Sequence, residues 1–336
     1  MESILADCRR SLAQAGPKAL QPLAGTRLFV TGATGFVGSW LLATIACLND
    51  DHGFGTQVTG IARQPHRNAA FQAFLQGRSD MAIAAADVRQ LVTVPSDTDW
   101  ILHAAGVPDS RVHAVDPIGT AAIIADGTMR VYRLADQVEH LRGVLHFSSG
   151  LVGGADAARI GANTVYREAK RYSEALCAAF RSEARLPVVV TRPFTFIGPF
   201  QDLTAPWAAN TLLHAALHGQ PLKLLGSGEA MRSYLYGSDM AVLALRQLVG
   251  GRSGETFDLG GIEPLRLIDL ARMVVAQARR PLELRMNTGR ETGASALIPD
   301  MQVSAERFVF RPAFSVGEAI GRTLAWHAGP DGALAG

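Results

Sequence analysis

Lysine is scarce in this 336-residue chain: of 32 lysine and arginine side chains only Lys18, Lys170 and Lys223 are lysine. Arginine carries the rest of the positive charge, and a net charge of +2 leaves no basic field for nucleic acid and no acidic tail. Cysteine is sparse as well. Cys8, Cys47 and Cys177 are odd in number, far apart in the chain and without metal-ligand spacing, which argues against a disulfide framework and for a reducing compartment, the cytoplasm by default. No run of about 18 apolar residues is present to span a bilayer, and the first 20 residues hold no continuous apolar signal core. Neither a membrane nor a nucleic acid is an expected partner. Internal repeats are missing too. What remains is a chain with 48% hydrophobic and 18% charged residues, enough to bury a substantial core in one large or two modest domains.

Ile4, Leu5, Cys8 and Leu12 recur at helical spacing before Gly16-Pro17, so residues 1–24 are expected to form a helical extension packed on the main body. From Thr26 onward, short apolar runs alternate with helical stretches. That alternation predicts an α/β fold with a doubly wound parallel sheet covered by helices on both faces. Strands are expected at Arg27 to Thr31, Gln57 to Ile61, Met81 to Ala85, Trp100 to His103, Val144 to Ser148 and Val188 to Thr191. Two longer helices, Pro117 to Val138 and Thr164 to Ser182, flank the fifth strand, and their outer sides are candidate homodimer surfaces. After Pro193 the alternation lapses into Pro- and Gly-containing segments with short helices. The last stretch, His327 to Gly336, is small and polar enough to be expected disordered.

The first strand runs into Thr31-Gly-Ala-Thr-Gly-Phe-Val-Gly38, and a helix follows. Gly32 and Gly35 would let the backbone turn tightly and approach a pyrophosphate, Gly38 would let helix and strand pack closely, and the helix N-terminus supplies amide donors. An ordinary tight turn would read the same way, but strand before and helix after favour phosphate binding. At the end of the second strand an NAD site carries a carboxylate for the adenosine ribose, whereas an arginine accommodates a 2′-phosphate. This chain has none there. It reads Val58-Thr-Gly-Ile-Ala-Arg63-Gln-Pro-His-Arg67, so Arg63, with Arg67 in reserve, is a candidate phosphate clamp or a solvated arginine, and NADP(H) is favoured over NAD(H). Asp87 follows the third strand, where a carboxylate can meet an adenine amino group or cap a helix. Ala104-Ala105-Gly106 follow the fourth, where small side chains admit a cofactor.

Lys170 lies four positions after Tyr166, which places both on one helix face. With five tyrosines and three lysines, chance gives about 0.04 such pairs in a chain of this length. A fixed ammonium beside a phenol favours the ionised form, moving a group of pKa near ~10 toward a range useful for proton transfer. Two solvated helix residues would give the same spacing.

With the glycine loop, His103-Ala-Ala-Gly106, Ser148-Ser149 and Tyr166-x-x-x-Lys170 in this order, the chain resembles the extended short-chain dehydrogenase/reductases, and their nucleotide-sugar epimerase/dehydratase branch in particular. Arg192-Pro-Phe-Thr-Phe-Ile-Gly-Pro199, Gly226-Ser-Gly-Glu-Ala-Met-Arg232-Ser-Tyr-Leu-Tyr-Gly-Ser-Asp239 and Glu255-Thr-Phe-Asp-Leu-Gly260 are similar to the same branch. The resemblance implies a Rossmann domain over residues 25–192 that also receives part of 237–260, and a smaller, mainly substrate-binding lobe over 193–336. It implies that Tyr166 exchanges a proton with a substrate hydroxyl or carbonyl, that Lys170 holds the nicotinamide ribose and lowers the phenol pKa, and that Ser149 hydrogen-bonds the same oxygen. Thr34, Phe36 and Val37 in the glycine turn, Val88 beside Asp87, and Pro193 after the sixth strand join the implied cofactor contacts. Arg232 would grip the substrate diphosphate, and Thr195 stands where the branch commonly carries an asparagine near that phosphate.

Two departures narrow the reaction. Sugar 4,6-dehydratases of this branch need an acid and a base, commonly Asp-Glu, directly after the serine or threonine of the fifth strand, and here those positions are Gly150 and Leu151. Water elimination is therefore not expected. Gly153-Gly154 replaces the usual Tyr-Gly, so the pocket wall differs. The expected activity is NADPH-linked reduction of a nucleotide-diphosphate keto sugar; an NAD-dependent 4-epimerase, a reductase of a non-sugar carbonyl compound and a non-catalytic dinucleotide sensor are the alternatives. His214 and His218 stand at i and i+4, but no third ligand is in view, so no metal is expected.

Overall fold

The computed structural model describes residues 1–65, 69–153, 164–287 and 295–329. Its centre is a seven-stranded sheet of β1 (Arg27–Thr31), β2 (Gln57–Ala62), β3 (Met81–Ala85), β4 (Trp100–His103), β5 (Gly143–Phe147), β6 (Val188–Pro193) and an edge strand at Thr256–Leu259. The spatial order is edge strand, β6, β5, β4, β1, β2, β3, and every neighbouring pair is parallel. Chain order reverses between β1 and β4. In such sheets the crevice beyond the carboxyl ends of the strands at that point is where ligands bind. β4 and β5 are buried along their whole length, as parallel strands covered on both faces must be. β5 ends at Phe147, so Ser148 and Ser149 lie just beyond it, and the edge strand comes from the 237–260 segment.

The covering helices are α1 (Glu2–Ala15), α2 (Phe36–His52), α3 (Ala69–Gln76), α4 (Ser110–Val115), α5 (Pro117–Ala135), α6 (Thr164–Glu183), α7 (Ala208–Leu217) and α8 (Gly237–Gly250). Every residue of α2 from Gly38 to Leu48 is buried, which a helix resting on a sheet with one side in water would not show. The reason is the N-terminal extension: α1 packs on both α2 and α8, adding a layer outside the sheet's own helices. Ile4, Cys8 and Leu12 are the side chains it buries. Cys8 and Cys47, distant in sequence, are free thiols in this layer: Cys8 accepts from the Thr44 hydroxyl and Cys47 donates to the Leu5 carbonyl, each at 3.5 Å.

Beyond β6 the smaller lobe is built from short strands, α7 and helices at Leu267–Gln277, Gln302–Arg307 and Val316–Ala328. The last helix starts with a reciprocal cap in which Ser315 and Glu318 satisfy each other's backbone amides. It also corrects an expectation. His327 and Ala328 complete that helix, with Ala328 buried, rather than opening a disordered tail. Residues 330–336 lie outside the described residues. No helix among the described residues is long and apolar enough to cross a membrane.

Candidate active site

The glycine turn between β1 and α2 is held by backbone geometry that side chains would break. Gly32 has φ of +73°, and a Cβ there would stand 2.9 Å from the Ala104 carbonyl oxygen. At Gly38 a Cβ would stand 2.4 Å from the Gly32 oxygen and 2.5 Å from the Ala33 oxygen, so only glycine lets α2 start this close to β1. Gly35 differs from its expectation. Its φ is −74° and a Cβ would meet only the Gly32 oxygen at 3.4 Å, so its smallness leaves room over the turn and is not needed to make it. The first helical amides, from Phe36 on, lack intrahelical acceptors and form a partial positive charge.

Above this turn lies a cavity of about 380 Å³ whose lining includes Gly32, Thr34, Gly35, Arg63, Ala105 and Gly106. A dinucleotide fits the cradle: Gly32, Gly35 and Gly106 bare backbone in its wall, Ile61, Val88 and Ile123 give it apolar surface, and its helix end offers amides to an anion. Thr34 donates its hydroxyl to the Gln64 carbonyl at 3.2 Å, and the ring of Phe36 stacks on Phe196 at 6.0 Å. Val37 and Ala104 pack against the main core. Arg63 is exposed beside the cavity; Arg67 lies outside the described residues. Asp87 accepts hydrogen bonds from the Arg89 backbone at 2.9 Å and from its guanidinium at 2.6 Å, which holds its carboxyl down to about 2. It caps a 3₁₀ turn, and its neighbours Ala86 and Val88 line the cavity.

The candidate catalytic groups approach the cavity at Gly106. A Cβ on Gly106 would be 3.4 Å from the Lys170 Nζ, so that ammonium sits at the cavity edge. Lys170 donates to the Phe147 carbonyl at the end of β5 at 2.7 Å and is 5% exposed. Tyr166, one turn earlier on α6 and 7% exposed, has Ser149 as the polar side chain that acts on its hydroxyl. Ser149 also accepts the Leu151 amide at 3.3 Å. Burial overturns the expected electrostatics. The Tyr166 pKa is raised by desolvation, against which Ser149 works, while desolvation brings Lys170 down to about 8. The pair sits in a dry site that disfavours both charged forms, and the phenol is a stronger candidate acid than candidate base.

Lys170 therefore makes the fold sensitive to pH. Its folded pKa is depressed below the unfolded value near ~10.4, so between pH 8 and that value the unfolded chain binds more protons and stability rises with pH. Unfolding measured in denaturant should show this climb in the wild type minus Lys170→Met difference. A flat difference across that window would sink the assignment.

Two neighbours carried no signal in the sequence. The imidazole of His113 lies parallel to the Tyr166 ring, with centroids 4.4 Å apart at 12°. The ring of Phe194 occupies the space beside Gly150, where a Cβ would meet it at 2.8 Å. Position 150 thus has no room for an acidic side chain while Phe194 stays where it is.

The expected substrate residues belong to the other lobe. Thr195 follows Pro193 at the end of β6 and accepts the Leu235 amide at 3.1 Å. The Arg232 guanidinium donates to the Ser295 carbonyl at 2.9 Å and to its hydroxyl at 3.1 Å, which orients it without pairing it to an acid in those contacts. His214 and His218 stack at 4.0 Å on α7, and among the described residues no group of three or more His, Cys, Asp or Glu is placed to hold a metal.

Relatives agree with this architecture. UDP-glucuronic acid decarboxylase 1 of Xenopus tropicalis is 24% identical over 309 residues, covering 89% of this chain and 71% of that one. A dTDP-4-dehydro-6-deoxy-D-allose reductase of Streptomyces bikiniensis is 24% identical over 313 residues, covering 86% and 92%. The crystal structure of the Bordetella bronchiseptica enzyme WbmF in complex with NADH superposes with a TM-score of 0.75 at 19% identity over 91% of this chain and 93% of that one, which shows a shared fold. The model of the NAD dependent epimerase/dehydratase family matches residues 28–260, from β1 to just past the edge strand, and the chain belongs to that family.

Proposed function

We propose that this chain reduces the keto group of a nucleotide-diphosphate sugar in an NADP(H)-linked reaction, with Tyr166 as proton donor. The observation that carries the reading is that Ser149, Tyr166 and Lys170 are buried together and that the Lys170 ammonium lies against Gly106, a wall residue of the cavity above the glycine turn. A bound nicotinamide dinucleotide, held by the glycine turn, Ala105, Gly106 and Lys170, supplies the hydride. As negative charge develops on the carbonyl oxygen, Tyr166 gives it a proton and Ser149 holds it by a hydrogen bond. Lys170, at the cavity edge, supplies positive charge beside the developing tyrosinate. The Phe194 ring against Gly150, and Leu151 beside it, leave no acid and base pair at these two positions for removing water.

The nucleotide sugar is supported by the names of the two relatives, a UDP-glucuronic acid decarboxylase and a dTDP-linked sugar reductase. Arg232 suits a diphosphate because its fork is already oriented by Ser295, with Thr195 nearby in the chain's substrate lobe as a further polar contact. NADP(H) is supported by Arg63 at the cavity and by the lack of a carboxylate at the end of β2. A homodimer through α5 and α6 is supported by apolar side chains left in water there: Ile118 is 82% exposed and Tyr172 52%.

The test is turnover of dTDP- and UDP-linked 4-keto-6-deoxy sugars. NADPH should be consumed one for one with product. NADPH should also bind more tightly than NADH, and Arg63→Ser should remove about tenfold of that preference, the worth of one charged hydrogen bond. Tighter NADH binding sinks the cofactor assignment. Interconversion of sugar epimers with no net NADPH consumption would sink the reductase and identify a 4-epimerase.

A further inference from the structure

We propose that His113 is a positioning residue for Tyr166, a plate that holds the phenol ring in place with its hydroxyl on the Ser149 side. This rests on the reading of Tyr166 as the proton donor. His113 is 3% exposed, and its ring lies parallel to the phenol at 4.4 Å and 12°, close enough to oppose any displacement of the phenol along its own normal. Its Nε2 is hydrogen-bonded to the Val107 carbonyl. A carbonyl only accepts, so Nε2 carries the proton and the imidazole is fixed in its plane. Tyr166 also shares an apolar cluster with Ile124 and Ala169, against which Ala121 and Leu151 pack.

The plate is itself anchored, through α4, to the other lobe. Asp109 caps α4 by accepting the Arg111 amide at 2.9 Å. Arg111 then donates to the Thr204 carbonyl at 3.0 Å, with Asp202 at 3.8 Å. One six-residue helix therefore touches the substrate lobe through Arg111 and the phenol through His113. Among the described residues, the other polar groups placed toward the phenol are Ser149, which acts on its hydroxyl, and Lys170 one turn along α6.

Two substitutions separate the plate from the hydrogen bond. His113→Asn keeps a donor for Val107 and removes the plate; His113→Phe keeps the plate and removes the donor. With NADPH and dTDP-4-keto-6-deoxyglucose as the probe, His113→Asn should lower kcat by about tenfold to 100-fold with KM changed by less than about threefold, and His113→Phe should recover most of the loss. A second readout needs no substrate. The phenolate absorbance of Tyr166, taken as wild type minus Tyr166→Phe, should titrate closer to the ordinary value near ~10 in His113→Asn, because opening the site lets water reach the phenol. His113→Phe should leave that midpoint in place. Wild-type kcat and an unmoved midpoint in His113→Asn would overturn the proposal. Full turnover by Tyr166→Phe would instead overturn the proton-donor reading, and the titration alone would then decide whether His113 holds the ring.

Discussion

Tyr166→Phe is expected to lower kcat by about 10³-fold, within the 10²–10⁴ range that a positioned proton donor contributes. The substitution removes one oxygen from a buried site and leaves the ring, so the stack on His113 and the contacts to Ile124 and Ala169 can persist. Folding is not the reason for the loss. Raised by burial, the phenol is protonated at neutral pH, and in the reductive direction protonated is the active state. Turnover should therefore hold through neutral pH and fall on the alkaline side, as Lys170 passes its own pKa of about 8 and then the phenol ionises. NADPH affinity, read by fluorescence titration, should change little. The result that removes Tyr166 from the chemistry is a kcat within a factor of about three of wild type with unchanged KM.

The same pair shows how far the sequence could be read. Spacing placed Tyr166 and Lys170 on one face of α6, because helical neighbours are fixed by local geometry. The sign of the electrostatics needed the packing. Proximity to an ammonium lowers a phenol's pKa in water, but here desolvation dominates for both groups, and the amount of water left is set by β5, α4 and α5 together. His113 was illegible for a related reason. It sits on a short helix between Pro108 and Pro117, with no apolar periodicity to place it, and reaches Tyr166 only because the chain from the end of β4 crosses the site. β1 and β4 were readable because short apolar runs bounded by turns suit buried central strands, whereas β3, at the sheet's outer edge and mostly exposed, was marked only by its short apolar run and its spacing from β2. The edge strand at Thr256–Leu259 was harder to place, since it joins β6 from the far side of the smaller lobe's first half.

Gly38→Ala should be the most damaging single-methyl change in the cofactor site. The added carbon would fall 2.4 Å from the Gly32 oxygen, 2.5 Å from the Ala33 oxygen and 2.6 Å from the Ala33 carbonyl carbon, all backbone atoms that cannot swing aside like a side chain. Either α2 moves away from β1 or the turn opens. Overpacking of this kind costs about 1–3 kcal/mol and sometimes more. α2 is buried from Gly38 to Leu48 between the sheet and the α1 and α8 layer, so it has little freedom to retreat and the turn should be what gives. That moves Gly32, Thr34 and Gly35, which line the cavity, relative to the helix amides at Phe36 and Val37. NADPH affinity should fall by about tenfold to 100-fold, the equivalent of the same energy, and thermal unfolding should come several degrees earlier. Gly35→Ala is the control. Its backbone is ordinary and its nearest obstacle is 3.4 Å away, so it should unfold at the wild-type temperature, and any loss of NADPH binding there comes from the methyl meeting the ligand. Equal destabilisation by the two substitutions would show that the contact at Gly38 does not set the spacing of strand and helix.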